Sequence, residues 1–399
     1  MAGPLTGVKV VDLSGVVSGP LATMFLADQG AEVLKVEPLT GDITRRSRRK
    51  VDEAGEFSAL FISSNRGKKS ISLDLKSTQG RAVLDRLLEG ADVLLQNFRP
   101  GAMERLGLGA ETLRARFPKL IYVSIDGVGE TGPYARKRVY DPVIQGLSGF
   151  CDVQAEAGTG RPRMIRTIVA DKTTAIFAAQ AISAALFARS RTGEGDHIRV
   201  SMLDVMLSYL WPEAMMQHTI VGGEETVGDP NDRPDLVFPT LDGYMTVGTI
   251  SDSEWQGFCR AVEDEALAAD PMFATPSGRS VNATARINRM SDYLSTRTTA
   301  EWLERLDRND VPCGPILRRH EITSNAQIVA RGLIEELDQP TVGRVRQPRP
   351  AARFETHAAA LTTGAPRVGE HGREVLEGLG WSAEDIDAMA AAGALRLPG

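Results

Sequence analysis

The chain has 399 residues, enough for two domains. With 42% hydrophobic and 25% charged residues it has the composition of a globular protein, and its net charge of −6 excludes the broad basic field used by nucleic-acid binders. The longest apolar runs are broken by Lys, Asp or Gly, which argues against a membrane span.

The first elements are legible in chain order. VKVVDL is a β-branched run and predicts a strand, SGVVSGP a turn, LATMFLADQGA a helix stopping at Gly30, and EVLKVE a second strand ending in Glu37. Strand, helix, strand is the βαβ unit of a parallel sheet. The pattern resumes with KSISLDL as a strand, a helix capped by Ser77 or Thr78, DVLLQNF as a strand, a helix opening at PGAMERLGL, and LIYVSIDG as a strand. This alternation predicts an α/β fold. RMIRTIV then reads as a short strand-like run meeting a long helix of small apolar residues, with Asp171 at the junction. After Gly193 a strand leads into another long helix, and the Gly/Pro/Asp-rich 221–235 reads as a linker. A smaller domain of a strand (DGYMTVGT) and amphipathic helices follows over 236–322, and 323–399 returns to strand and helix.

Several segments carry candidate chemistry. Gly15, Gly19 and the acidic Glu37 invite comparison with nicotinamide-dinucleotide sites, but SGVVSGP lacks the GxGxxG fingerprint and Pro20 interrupts it. The backbone N–H groups of that helix start still suit a phosphate. Arg66, Lys68, Lys69 and Lys76 surround a strand, either as a polyphosphate cradle or as a solvated face. Asn97, Phe98, Arg99 and Arg105 follow a strand's carboxyl end, where open α/β sheets bind ligands. Asp171 reads either as an N-cap or as a nucleophile that the helix N-terminus keeps ionised. Five scattered histidines and three widely spaced cysteines suggest neither a metal site nor a disulfide framework. MAGPLTGVKVVDL has no secretory pattern, so a cytoplasmic location is expected.

Taken in order, PLTGVKVVDLSGVVSGPLATMFLADQGAEVLKVE, NRGKKSISLDLKSTQG, ADVLLQNFRPGAMERLGL, YDPVIQGLSG, the Asp171 helix, RTGEGDHIRVSMLDV, VPCGPI and VGEHGREVLEGLGWSAEDI resemble the class III CoA-transferase family, which includes formyl-CoA transferase and carnitine CoA-transferase. The resemblance implies a large Rossmann-like domain built from both chain ends (1–220 and 323–399), a smaller α+β domain, and an interlocked, ring-like homodimer. It implies that Asp171 is the catalytic aspartate, forming an aspartyl anhydride and then an enzyme–CoA thioester. The matching CoA contacts are Val17, Ser18, Leu73, Asp74, Leu75, Lys76, Asn97, Phe98, Arg105, Arg138, Tyr140 and Asp141, with Arg105 and Arg138 on phosphates. CoA enters as a substrate with a small carboxylic acid, and no tightly bound cofactor is implied. Racemases sharing the fold carry a histidine where this chain has Tyr140, and a phenol is a poor base at neutral pH. The glycine-rich loop of formyl-CoA transferases is absent from DGYMTVGTISDSEW, which leaves the acyl group open.

Overall fold

The structure, a computed structural model, describes residues 3–47, 51–156, 158–222, 235–357 and 363–398. The chain forms two compact units. Residues 1–151, 164–216 and 331–399 make the first; 152–163 and 217–330 make the second. The second unit thus takes up the early segment 152–163 and extends past 322 to Ala330. Most of the 221–235 stretch lies outside the described residues.

In the first unit the strands and helices alternate as β1 (Lys9–Asp12), α1 (Ser18–Asp28), β2 (Glu32–Glu37), α2 (Ala59–Asn65), β3 (Lys68–Leu73), α3 (Thr78–Glu89), β4 (Val93–Gln96), α4 (Ala102–Arg105), α5 (Ala110–Arg116), β5 (Ile121–Asp126), α6 (Asp141–Leu147), α7 (Phe150–Val153), α8 (Val169–Thr192), β6 (His197–Ser201) and α9 (Met202–Ala214). Six parallel strands run in the order β3-β2-β1-β4-β5-β6, and a short strand at Leu395–Arg396 joins β3 antiparallel. The order reverses between β1 and β4, the place where a doubly wound sheet opens a crevice at its carboxyl edge.

The β-strand period of two decides the layers. Val11, Leu13, Val36 and Ile71 face α3, α5 and the C-terminal helices Gly372–Gly378 and Ala383–Ala391, through Val83, Leu84, Leu113, Leu376 and Ile386. Val10, Val33, Leu95, Val123 and Ile125 face the other way, onto Ala22 and Leu26 of α1 and Ala175, Ala178 and Ile182 of α8. Small residues on α8 let α1 and the sheet pack closely on one helix. The run before Asp171, expected as a strand, pairs with no strand; Gln145 holds it from α6, its amide oxygen accepting from Ile165 N at 3.1 Å and its NH2 donating to Thr167 O at 3.2 Å. The PGAMERLGL helix is a single turn, α4, followed by a separate α5.

The second unit is built on its own core. A three-stranded antiparallel sheet (Phe238–Pro239, Tyr244–Val247, Cys313–Pro315) packs with helices at Asp252–Val262, Ala283–Leu294 and Thr299–Arg308 around Trp255, Phe258 and Trp302. Capping boxes start two of those helices, at Ser251 with Glu254 and at Thr298 with Glu301.

Beneath the carboxyl edge of the first unit's sheet lies a buried array of ion pairs. Lys68 Nζ meets Asp12 Oδ2 at 3.0 Å, and Lys35 Nζ meets Asp42 Oδ2 at 3.0 Å. Arg45 grips Glu37 through Nε (2.8 Å) and Nη2 (2.7 Å), and Arg66 grips Asp28 through Nε (2.9 Å) and Nη2 (2.7 Å). Burial alone would raise the Asp12 carboxyl, but Lys68 and Lys35 outweigh it and bring it down to about 2. Three expectations change here. Arg66 and Lys68 are neither a polyphosphate cradle nor a solvated face, because each is buried against an aspartate. Lys69 is exposed and pairs with Glu374. Glu37 is filled by Arg45 and Ser70, so it offers no free carboxylate to a ribose.

Candidate active site

The turn after β1 is fixed from several sides. Asn97, just past β4, accepts from Gly15 N at 2.9 Å and donates to Gly15 O at 2.7 Å. Lys35 Nζ donates to Ser14 O at 2.7 Å, Ser14 N donates to Asp12 Oδ1 at 2.9 Å, and Val16 N reaches Asp42 Oδ1 at 3.4 Å. Within this clasp Val16 has φ 68°, a left-handed conformation that is unusual for a β-branched residue and persists only where surrounding bonds over-determine it. At Gly19 any Cβ would stand 2.3 Å from the Ser14 side chain, so glycine is required for the helix to start this close to the strand. The result is that α1 begins at Ser18 with its first N–H and its hydroxyl both turned to the Asp171 carboxyl.

Asp171 is the third residue of α8 and is 9% exposed. It is therefore not the N-cap, and α8 has no side-chain cap of its own. The acceptor at that end comes from another helix: Asp141 Oδ2 takes Ala170 N at 2.7 Å and Asp171 N at 3.3 Å. At this helix start the Asp171 carboxyl is raised, not lowered as a free helix N-terminus would lower it. Burial raises its carboxyl first, the Asp141 charge raises it further, and Ser18 opposes both, leaving it at about 6. The Asp141 carboxylate satisfies the N–H groups of α8 before their partial charge can favour a second anion.

Asp171 opens onto a cavity of about 330 Å³ within the first unit. Ser18, Asn97, Phe98, Arg138 and Tyr140 line it, as do Val16, Arg99, Asp126, Lys137 and Met202. Phe98 is 39% and Tyr140 62% exposed, so neither is core. Arg99 and Arg138 form no ion pair with any described residue, and Lys137 lies 5.2 Å over the Tyr134 ring. The remaining expected contacts fall elsewhere. Val17 and Asp141 are buried, Leu73 is a core residue closing β3, Asp74, Leu75 and Lys76 follow it on the far side of β2, and Arg105 is exposed on α4 outside the cavity. Val16, Asp126 and Lys137 were not among the expected residues; Lys137 stood next to Arg138 in RKRVYDP, whereas nothing in the sequence marks Val16 as left-handed.

A larger cavity of about 660 Å³ lies beside this one and shares Phe98, Arg99, Pro100, Ile125 and Asp126 with it. Its lining mixes Arg114, Arg199 and His197 with Glu104, Glu111 and Glu130, and it does not reach Asp171. Among the described residues no group of three His, Cys, Asp or Glu side chains could hold a metal ion, and no helix is long and apolar enough to cross a membrane.

The raised carboxyl has a thermodynamic consequence. Asp171 holds its proton to about pH 6 when folded but releases it near 3.8 when unfolded, so its contribution to stability is complete below about pH 4 and is lost as pH rises through 6. Asp171→Asn should therefore stabilise the protein by about 2–3 kcal/mol above pH 7 and by nothing near pH 4, read from urea denaturation at both pH values. Equal stability of the two proteins at pH 7.5 would show that the carboxyl is not strained.

The chain is similar to known proteins along nearly its whole length. The chain matches the model of CoA-transferase family III over residues 5–372. It is 36% identical to a succinate–glutarate CoA-transferase of Agrobacterium fabrum, covering 94% of this chain and 95% of that one. It is likewise 36% identical to an acetyl-CoA:oxalate CoA-transferase of Acetobacter aceti over 83% of this chain and 85% of that one. The crystal structure of a CAIB/BAIF family protein from Brucella suis superposes with a TM-score of 0.82 at 33% identity, covering 95% of this chain and all of that one. On a parallel sheet open at its switch point, with a family match along nearly its whole length, this chain belongs to CoA-transferase family III and is an acyl-CoA:carboxylate CoA-transferase.

Proposed function

We propose that Asp171 is the nucleophile of CoA transfer between two carboxylic acids. The observation that carries this reading is a buried carboxylate, raised to about 6, opening onto a cavity rimmed by Arg99, Lys137 and Arg138. Such a group is mostly ionised at neutral pH yet more basic than an ordinary aspartate, which favours attack on a thioester.

One Asp171 oxygen attacks the donor thioester carbonyl. The C–S bond breaks, its electron pair leaves on the CoA thiolate, and an acyl–aspartyl anhydride remains. The thiolate then attacks the aspartyl carbonyl, and the donor acid departs with the bridging oxygen. Asp171 is left as a CoA thioester, and the acceptor carboxylate runs the same steps in reverse. Each intermediate lies near a thioester in energy, so no nucleotide is consumed. The Ser18 N–H and hydroxyl beside Asp171 are the donors available to the developing oxyanion. The cationic rim supplies anion sites for CoA phosphates and for a carboxylate.

The relatives named above take succinate, glutarate or oxalate. Short dicarboxylic acids are accordingly the proposed acceptors, with succinyl-CoA as a donor. CoA passes through as substrate, without a tightly bound cofactor. The contacts proposed for its length remain Val17, Ser18, Leu73, Asp74, Leu75, Lys76, Asn97, Phe98, Arg105, Arg138, Tyr140 and Asp141. A racemase on this fold is the second reading, and Tyr140 in place of histidine disfavours it. We also propose the interlocked homodimer. Its support is a row of large apolar side chains left partly exposed: Ile176, Phe177 and Phe187 on α8, with Leu207, Tyr209 and Trp211 on α9.

Incubation with a panel of acyl-CoAs, acid quench and mapping of the peptide Thr167–Lys172 should find Asp171 heavier by one CoA less one water. Absence of any adduct on protein that binds CoA would remove Asp171 from the nucleophile role. Light scattering should give twice the 43.1 kDa chain mass, with Phe187→Lys shifting it towards one; a monomeric wild-type protein would exclude the dimer.

A further inference from the structure

Asp141 is 2% exposed and belongs to a different helix from Asp171, yet all the hydrogen bonds of its carboxylate serve the Asp171 segment. Oδ2 takes the N–H of Ala170 at 2.7 Å and of Asp171 at 3.3 Å. Oδ1 takes the Nε2 of Gln145 at 2.6 Å. Gln145, one turn along α6 and equally buried, holds the incoming chain in turn, through Ile165 N at 3.1 Å and Thr167 O at 3.2 Å. Two side chains on one face of α6 thus grip residues 165–171, and that grip replaces the missing cap of α8.

We propose that Asp141 is a positioning residue for the transfer reaction: it anchors the start of α8 so that the Asp171 carboxylate faces the cavity, and it keeps a second negative charge beside that carboxylate. The inference rests on Asp171 as nucleophile. Removing the charge should make Asp171 less basic and a poorer nucleophile without emptying the CoA site. The other groups around Asp171 do not substitute for it. Ser18 on α1 and Met202 on α9 are uncharged, and Arg99, Lys137 and Arg138 across the cavity are cations that act in the opposite sense. Asp126 and Tyr140 line the same cavity, and Lys172 on α8 itself is turned to Thr167 Oγ1 at 2.8 Å. Asp141 alone is both acidic and bonded to the Asp171 backbone.

The test uses the full chain and the Asp141→Asn variant. In wild-type protein kcat/KM should fall on the acid side with a midpoint near 6, and in Asp141→Asn that midpoint should move down by about one pH unit. kcat should drop about tenfold or more while KM for acyl-CoA changes little, a split that loss of fold would not give. An unmoved midpoint with kcat intact would overturn the proposal. Should Asp141→Asn not fold, the decision passes to wild-type protein carrying ¹³C-labelled aspartate. The Asp171 carboxyl signal, assigned by its loss in Asp171→Asn, should titrate near 6; a single step near 4 would overturn the proposal. The nucleophile reading fails separately, if Asp171→Asn retains turnover.

Discussion

The site depends on the clasp between the turn after β1 and the end of β4. Asn97 bonds both backbone groups of Gly15, and Lys35 and Asp42 hold the residues on either side. Val16 is thereby kept left-handed, and α1 starts with Ser18 facing Asp171. β1 and β4 are the neighbours at which the strand order reverses, so the clasp spans the mouth of the sheet's crevice. Without it the turn would relax towards an ordinary βα connection, and the donors beside Asp171 would be aimed elsewhere.

Charge is sorted on the two sides of that turn. Below it, Asp12, Asp28, Glu37 and Asp42 each have a buried cation, and the pairs tie β3 to β1, the residue after α2 to α1, and β2 to the segment that follows it. Breaking such a pair leaves an isolated buried charge, which costs about 3–5 kcal/mol. Above it the pairing lapses. Asp171 has a like charge behind it at Asp141 and faces Arg99 and Arg138, which form no ion pair with any described residue. The strained, unpaired groups sit where ligands would approach, and the satisfied ones where they would not.

Much of this was legible because it is local. The alternation of β-branched runs with amphipathic helices exposed the sheet, and Ser77 was readable as a cap because its acceptor role lies three residues away, at Gly80. Asp171 stood out by its place before a helix of small residues. What the sequence hid is long-range. Arg66 and Lys68 looked like surface charges because their partners, Asp28 and Asp12, are 38 and 56 residues distant. That Asp141 caps α8 was hidden because the backbone it bonds lies 29 residues on. The second unit's claim on 152–163 could not be read from composition, since its partners there lie beyond residue 216.

The most direct test of the anhydride route follows oxygen. Acceptor acid labelled with ¹⁸O in its carboxylate should leave one label on Asp171 as its acyl-CoA forms, and the next donor acid released should carry that label away. Mass spectrometry of the released donor acid across several turnovers would show it labelled in step with transfer. Donor acid that stays unlabelled while CoA is transferred would contradict a route through the Asp171 carboxylate.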